Sequence, residues 1–227
     1  MAYWIASLAG LAIAYLLGAT PTGYLAGKLL KGIDLRTIGS GSTGATNVLR
    51  TLGKGPALAV FLIDLVKGAA AVLTTRWLWA WLATAPFGAP PAGFTPQILT
   101  SWAVCLAGLA AVIGHSRSIW LNFTGGKSAA AGLGVLLAMS WPVGLGAAAV
   151  VIATLAAFRI MSLSSLLGAA SAIALACALD EPLPYRLLVI AGGLYVTWLH
   201  RANIGRLLTG TEPRLGRFSP GSANPQT

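Results

Sequence analysis

Carboxylates are scarce in this chain: Asp and Glu together number 5 in 227 residues, against 15 Lys and Arg. No two of them accompany either histidine, His115 or His200, which argues against a dimetal site or two-carboxylate hydrolysis. Cysteine is scarcer still. Cys105 and Cys177 both fall in apolar runs and form neither a CxxC pair nor a metal set, so they are packing residues, and no metal or cofactor is expected. Charge of any kind makes up 9% of the sequence, where an ordinary soluble domain carries about 25%. That leaves too little polar surface to clothe a core in water. With 56% hydrophobic residues and a mean hydropathy of +0.78, the chain is integral to a membrane.

No basic segment precedes Tyr3, so the first apolar stretch reads as a membrane span and not as a cleaved signal peptide. The net charge of +10 is strung between apolar segments and forms no single face. Anionic lipid and an anionic substrate are the partners this indicates; nucleic acid is not.

A helix crossing a bilayer needs about 20 apolar residues. On that measure candidate spans lie near 3–27, 56–82, 98–115, 128–140, 142–158, 162–179 and 185–200. The fourth is short and ends at Ser140-Trp141-Pro142, where proline lacks the N–H that a helix interior needs. One kinked span over 128–158 is the alternative, and charge decides between them. Seven spans put Lys28, Lys31, Arg36, Arg50, Lys54, Arg117, Lys127, Arg159, Arg201, Arg206, Arg214 and Arg217 on one side. The other side receives the Pro/Gly-rich stretch 83–96 and the Asp180-Glu181 turn, with Arg76 and Arg186 near its span ends. The positive-inside rule then gives an all-α polytopic bundle of seven transmembrane helices, N-terminus outside and C-terminus cytoplasmic. Residues 1–214 form one membrane domain, and 215–227, rich in Gly, Pro, Ser and Asn, a loose tail. Tyr3, Trp4, Trp77, Trp79 and Trp81 fall where aromatic anchors belong on the outer face. Glycines at 132, 134, 144, 146, 192 and 193 describe close helix packing.

Three polar blocks stand apart on the basic side. The first, Ile38 to Asn47, is made of glycines and small hydroxyl residues and is followed by Arg50. Consecutive backbone N–H groups in such a loop, a helix starting at Thr46 or Asn47 and a guanidinium one turn on make an anion site. It is not a nucleotide loop, because the closing Gly-Lys-Ser/Thr is missing and no strand precedes it. The second block, Gly114 to Ser128, brings Gly125-Gly126 before Lys127 at a helix start, where backbone and ammonium reach one phosphate. The third, His200 to Glu212, sets His200, Asn203 and Leu207 on one helical face. Asp64 and Lys67 form an i,i+3 pair inside the second span, read as mutual neutralisation.

Together these blocks resemble the bacterial acyl-phosphate:glycerol-3-phosphate acyltransferases over nearly the whole chain. The likeness rests on Gly39-Ser40-Gly41 with Gly44 to Arg50, on Gly114-His115 with Phe123 to Lys127, and on His200 to Ile204 with Arg206 to Leu208 and Gly210 to Glu212. The resemblance implies seven helices, a cytosolic active site in the bacterial inner membrane, and acyl transfer from acyl phosphate to the 1-hydroxyl of glycerol 3-phosphate. Lysophosphatidic acid and phosphate would be the products, with no cofactor. It implies a catalytic, phosphate-holding set of Ser40, Arg50, Lys127, His200 and Asn203. Gly41, Thr46, Asn47, His115, Gly125, Gly126, Arg206 and Glu212 would bind or support substrate nearby. Ser42-Thr43, Arg117-Ser118 and Ser128 depart from the family pattern, which usually has Asn-Pro, Phe-Pro and Gly there. Two readings from other classes stand beside this one: a transporter of a phosphorylated solute, resting on the intramembrane Asp64-Lys67 pair, and a structural bundle that scaffolds other lipid enzymes. Oligomeric state and acyl chain length are not legible.

Overall fold

A computed structural model describes residues 2–84 and 93–216. The side chains of Tyr3 and Trp4, the stretch 85–92 and the tail beyond Gly216 lie outside the described residues, and with them those expectations. Helices occupy each place the apolar pattern marks: α1 (Ala2–Ala19), α2 (Thr22–Lys31), α4 (Lys54–Thr84), α5 (Pro96–Ser116), α6 (Ala129–Met139), α7 (Trp141–Phe158), α8 (Met161–Ala178) and α9 (Leu183–Leu199). Two short amphipathic helices, α3 (Ala45–Leu52) and α10 (Arg201–Leu208), carry polar blocks one and three. Five segments among the described residues are long and apolar enough to cross a membrane: 5–31, 54–84, 96–116, 141–158 and 161–178. Helices α6 and α9 are apolar but shorter.

The first apolar run is one candidate span, as expected, but is built from two helices. Pro21 carries no N–H and restrains Thr20, so α1 stops at Ala19 and α2 starts afresh at Thr22. Ser140 separates α6 from α7, and Gly144 packs against the backbone of Leu137, so the chain folds back there and is not one kinked helix. A helix of 11 residues spans only about 16 Å, so α6 ends within the bundle. Its buried C-terminal end is satisfied by protein: Arg76 Nη2 donates to the Met139 carbonyl at 2.7 Å and to Tyr185 Oη at 3.1 Å. The Ser140 hydroxyl bonds Glu181. Non-helical backbone at membrane depth is tolerated where protein groups complete its hydrogen bonds.

Two helix pairs meet backbone to backbone. A Cβ on Gly18 would strike the Ala111 carbonyl and one on Gly114 the Tyr15 carbonyl, which locks α1 to α5. Gly68 and Gly134 do the same between α4 and α6, against Ala131 and Leu65. Lipid tails give helices no hydrophobic reason to associate, so close van der Waals contact supplies it. The main core, with Val72, Val104, Val135, Val143 and Leu188, draws on α1 and on each helix from α4 to α9. A smaller cluster of Leu35, Val48, Ala57 and Val60 pins α3 onto the start of α4. Of the tryptophans, Trp77 and Trp81 are exposed as anchors should be, but Trp79 is buried on the inner face of α4. Cys105 is buried and Cys177 exposed, and neither is bonded. Leu215 N donates to the Arg159 carbonyl at 2.7 Å, so the first residue of the expected loose tail is held.

Candidate active site

The first wall of the site is a loop wrapped around one side chain. Asn47, 1% exposed, donates through Nδ2 to the carbonyls of Ile38 and Ser42, both at 2.9 Å, and of Leu35 at 3.1 Å. Its Oδ1 accepts from Ser40 N at 3.2 Å. Gly39 and Gly41, at φ +63° and +67°, take the left-handed turns this wrapping requires, and a Cβ on Gly39 would collide with the Asn47 amide. Asn47 therefore spends its amide on bracing the loop. Helix α3 begins at Ala45 behind Gly44, one or two residues earlier than expected, and Arg50 lies half-buried on it. Burial is the main influence lowering the Arg50 pKa below the ordinary arginine value. The Ser42 departure is accommodated locally, its hydroxyl accepting from Gly44 N at 3.3 Å.

The second wall is the segment from Ser116 to Ser128. Gly126 N donates to the His115 carbonyl at 3.1 Å, and a Cβ on Gly126 would meet the His115 ring. The glycine pair thus lets this segment pack closely on His115. Ser128 sits at φ +60° with no exposed surface. A left-handed serine is strained by about 1 kcal/mol or more, offset here by its hydroxyl donating to the Val112 carbonyl at 2.7 Å. Ser118 donates to the Ala19 carbonyl at 2.5 Å and ties this segment to the end of α1. Arg117 lies over the Trp198 ring, 5.8 Å from its centroid, opposite no carboxylate.

The third wall joins α8, α9 and α10. Lys127 Nζ donates to Asn203 Oδ1. Asn203 Nδ2 in turn donates to Glu212 Oε1 at 2.6 Å, and the same oxygen accepts from Ser162 Oγ at 2.7 Å. Arg206 Nε closes the chain on Glu212 Oε2 at 2.7 Å. Burial pushes the Glu212 carboxyl up, but the bonds from Asn203, Ser162 and Arg206 outweigh it and hold its pKa below the ordinary glutamate value. Lys127 shifts the other way for a lysine: burial first, then the positive charges of Arg206 and Arg50, depress its pKa against the pull of Glu212. His200, 4% exposed, has Nδ1 2.7 Å from the Val196 carbonyl. A carbonyl only accepts, so Nδ1 carries the hydrogen and Nε2 of the neutral ring keeps its lone pair.

One cavity of about 210 Å³ joins the three walls. Ser40, Thr46, Asn47, Arg50, His115, Lys127, His200, Asn203 and Glu212 line it; Gly41, Gly125, Gly126 and Arg206 do not. Its polar end lies among α3, Lys127 and α10, and an apolar branch descends between α6, α7, α8 and α9 past Leu133, Leu136, Val151, Val189 and Val196. Sequence reasoning missed Ser162 and Ser165, which line the polar end. The signal was present in three serines within four residues at the head of an otherwise apolar helix, Ser162-Leu163-Ser164-Ser165.

Asp64 also reaches this cavity, and its partners are accounted for. Lys67 Nζ lies 2.8 Å from Asp64 Oδ1, and Thr22 Oγ1 donates to the same oxygen at 2.5 Å. Lys67 Nζ also donates to the Thr20 carbonyl at 2.8 Å, so the ion pair holds the break before Pro21. His115 Nδ1 stands 3.6 Å from Asp64. Among the described residues no group of three His, Cys, Asp or Glu is placed to hold a metal ion.

Residues 8–210 match the glycerol-3-phosphate acyltransferase family. The chain belongs to this family. Within the family it is 67% identical over 219 residues to glycerol-3-phosphate acyltransferase 2 of Rhizobium johnstonii, covering 96% of this chain and 100% of the relative. It is 52% identical to the glycerol-3-phosphate acyltransferase of Trichormus variabilis, with 96% of each chain covered. Among solved structures it is similar to PlsY, an integral membrane glycerol 3-phosphate acyltransferase, in its glycerol 3-phosphate form. That likeness has a TM-score of 0.79 at 37% identity and covers 92% of this chain and 96% of that one. The lysophosphatidic acid form gives a TM-score of 0.76 at 36% identity, covering 92% and 95%. As in that family, the chain is a multi-pass membrane protein by its run of long apolar helices.

Proposed function

We propose that this protein transfers a fatty acyl group from acyl phosphate to the 1-hydroxyl of glycerol 3-phosphate, giving lysophosphatidic acid and inorganic phosphate. The observation that carries the reading is a single cavity with a cationic polar end and an apolar branch, meeting beside His200. Two phosphate-bearing substrates repel each other, and Arg50 and Lys127 together with the α3 loop offset that repulsion. The acyl chain takes the apolar branch, so its carbonyl comes to rest at the junction. The names of the relatives and of the two PlsY forms support glycerol 3-phosphate as acceptor and lysophosphatidic acid as product.

Acyl phosphate is already activated, so holding the hydroxyl against its carbonyl supplies much of the rate. The acceptor oxygen forms a bond to the acyl carbon, the bond from that carbon to the phosphate oxygen breaks, and phosphate leaves. The hydroxyl proton passes either to the departing phosphate or to His200 Nε2. Direct transfer is favoured over a covalent intermediate, because among the described residues no imidazole or carboxylate hydrogen-bonds the Ser40 hydroxyl. By the positive-inside rule the site faces the cytosol, with seven crossings, the N-terminus outside and the bacterial inner membrane as the location. The transport reading loses its main support, since Asp64 and Lys67 neutralise each other and bind the helix break.

Purified protein supplied with glycerol 3-phosphate and acyl phosphate is expected to release phosphate and lysophosphatidic acid together. Equal turnover with acyl-CoA would refute the donor, and an acyl group trapped on Ser40 would refute direct transfer. Uptake of glycerol 3-phosphate into proteoliposomes without any donor would restore the transporter.

A further inference from the structure

The chain carries 5 side-chain carboxylates, and each already has a partner. Asp34 pairs with Arg36, Asp64 with Lys67, Asp180 with Arg186 and Glu212 with Arg206, while Glu181 accepts from Ser140. None is left for Arg117 and Arg201. Among the described residues these two exposed guanidiniums meet the same indole instead, the central carbon of Arg117 lying 5.8 Å from the Trp198 ring centroid and that of Arg201 4.6 Å. Each donates one hydrogen bond, Arg117 to the Phe123 carbonyl at 3.3 Å and Arg201 to the Trp198 carbonyl at 3.4 Å, which leaves most of the N–H groups on both unused.

The ring that both arginines meet is itself held. Tyr195 stacks on Trp198 with centroids 5.8 Å apart, and its hydroxyl stands 2.8 Å from Ser116 Oγ, which clasps α9 to the end of α5. Leu187, Leu194 and Trp198 are exposed and recur at helical spacing, so an apolar stripe runs down α9 away from the arginines.

We propose that Arg117, Trp198 and Arg201 hold the phosphate of an anionic phospholipid whose tails lie along that stripe. Phosphate chemistry alone admits the free ion as well, and the stripe decides for the lipid. A soluble ion gains nothing from an apolar bed, whereas an indole settles at headgroup level and guanidiniums grip a phosphate there. The lipid supplies counter-charge that the chain, at net +10, lacks. Its headgroup bridges the segment after α5, which leads to Lys127, to the start of α10, which carries Asn203, and so braces two walls of the cavity from the bilayer side. Such a site is independent of the acyl donor assigned above. Two basic residues at an anionic headgroup layer strengthen attachment by roughly thirtyfold, and one by about fivefold.

Purified protein, delipidated in neutral detergent, is titrated with phosphatidylglycerol or phosphatidylcholine, with bound lipid counted by native mass spectrometry and unfolding temperature followed in parallel. The wild type is expected to retain one phosphatidylglycerol roughly thirtyfold more tightly than phosphatidylcholine, and to unfold at a higher temperature with it. Arg117→Gln/Arg201→Gln is expected to lose that preference, while Lys28→Gln/Lys54→Gln, which removes the same charge elsewhere on the basic side, keeps it. Should the arginine double variant fail to fold, Arg117→Gln alone carries the test, with a loss of about fivefold. A wild type that does not distinguish the two lipids, or an equal loss in both double variants, overturns the site in favour of diffuse charge. Inorganic phosphate that stabilises the wild type as much as phosphatidylglycerol does, and the arginine double variant not at all, assigns the pair to a free ion and overturns the lipid. Failure of the wild type to turn over acyl phosphate would refute the donor and leave this site standing.

Discussion

Replacing Asn47 by aspartate keeps the shape of the side chain and removes its two N–H hydrogens. Three loop carbonyls, of Leu35, Ile38 and Ser42, then face an acceptor-only carboxylate inside a pocket that is 1% exposed. Two lost bonds cost about 1 kcal/mol each, and a charge turned toward carbonyl oxygens adds at least about as much again. A total of about 3 kcal/mol lowers the closed-loop population roughly a hundredfold. If substrate phosphate binds only the closed loop, KM for glycerol 3-phosphate rises by the same factor. Asn47→Ala loses the same donors without the repulsion and is expected to fall between the two. Steady-state kinetics on purified protein, with thermal unfolding to show that the bundle is intact, read the effect. An aspartate variant with wild-type KM and kcat would refute the view that this amide organises the loop.

Lys127 loses its charge at a lower pH than an ordinary lysine because it is buried beside Arg206 and Arg50. Raising the pH neutralises it, so KM for glycerol 3-phosphate is expected to climb on the alkaline side in the wild type and to stay flat in Lys127→Arg. An identical alkaline limb in both proteins would assign the titration elsewhere. Glu212→Gln keeps an acceptor for Asn203 but turns an amide N–H toward Arg206, and is expected to destabilise the docking of α10 by about 2 to 3 kcal/mol. Because the folded-state pKa of Glu212 is depressed, its contribution is present above the ordinary glutamate value and lost as pH falls through the lowered one. Thermal unfolding across acid pH should show this loss in the wild type only; superimposable curves would discard it.

The apolar runs marked the helices well because hydrocarbon demands a continuous stretch of satisfied backbone, and that demand is written in composition. The break at Thr20-Pro21 was harder to read, since it depends on Lys67 and Thr22 arriving from elsewhere to complete it. The polar blocks named nine of the residues that line the cavity, because small hydroxyl and cationic residues stand out against an apolar background. Roles within the blocks were less legible. Gly125 and Gly126 look like an anion cradle in sequence, yet the His115 side of the fold uses their lack of side chains. Ser162 escaped notice because, even in a run of three serines, its hydroxyl acquires meaning only when Glu212, 50 residues on, comes to rest beside it.

That distance has a consequence for how the protein is made. Lys127, Ser162 and the pair Asn203 and Glu212 come from three separate parts of the chain, and the carboxylate that binds Ser162, Asn203 and Arg206 together is the last of these residues to be synthesised. Domains form as the chain emerges, N-terminal parts first, so the loop around Asn47 and the first helix pairs are in place well before Glu212 appears. Until then Lys127 has no fixed amide partner and the cavity lacks one wall. A nascent chain thereby has no complete cavity until its bundle is assembled.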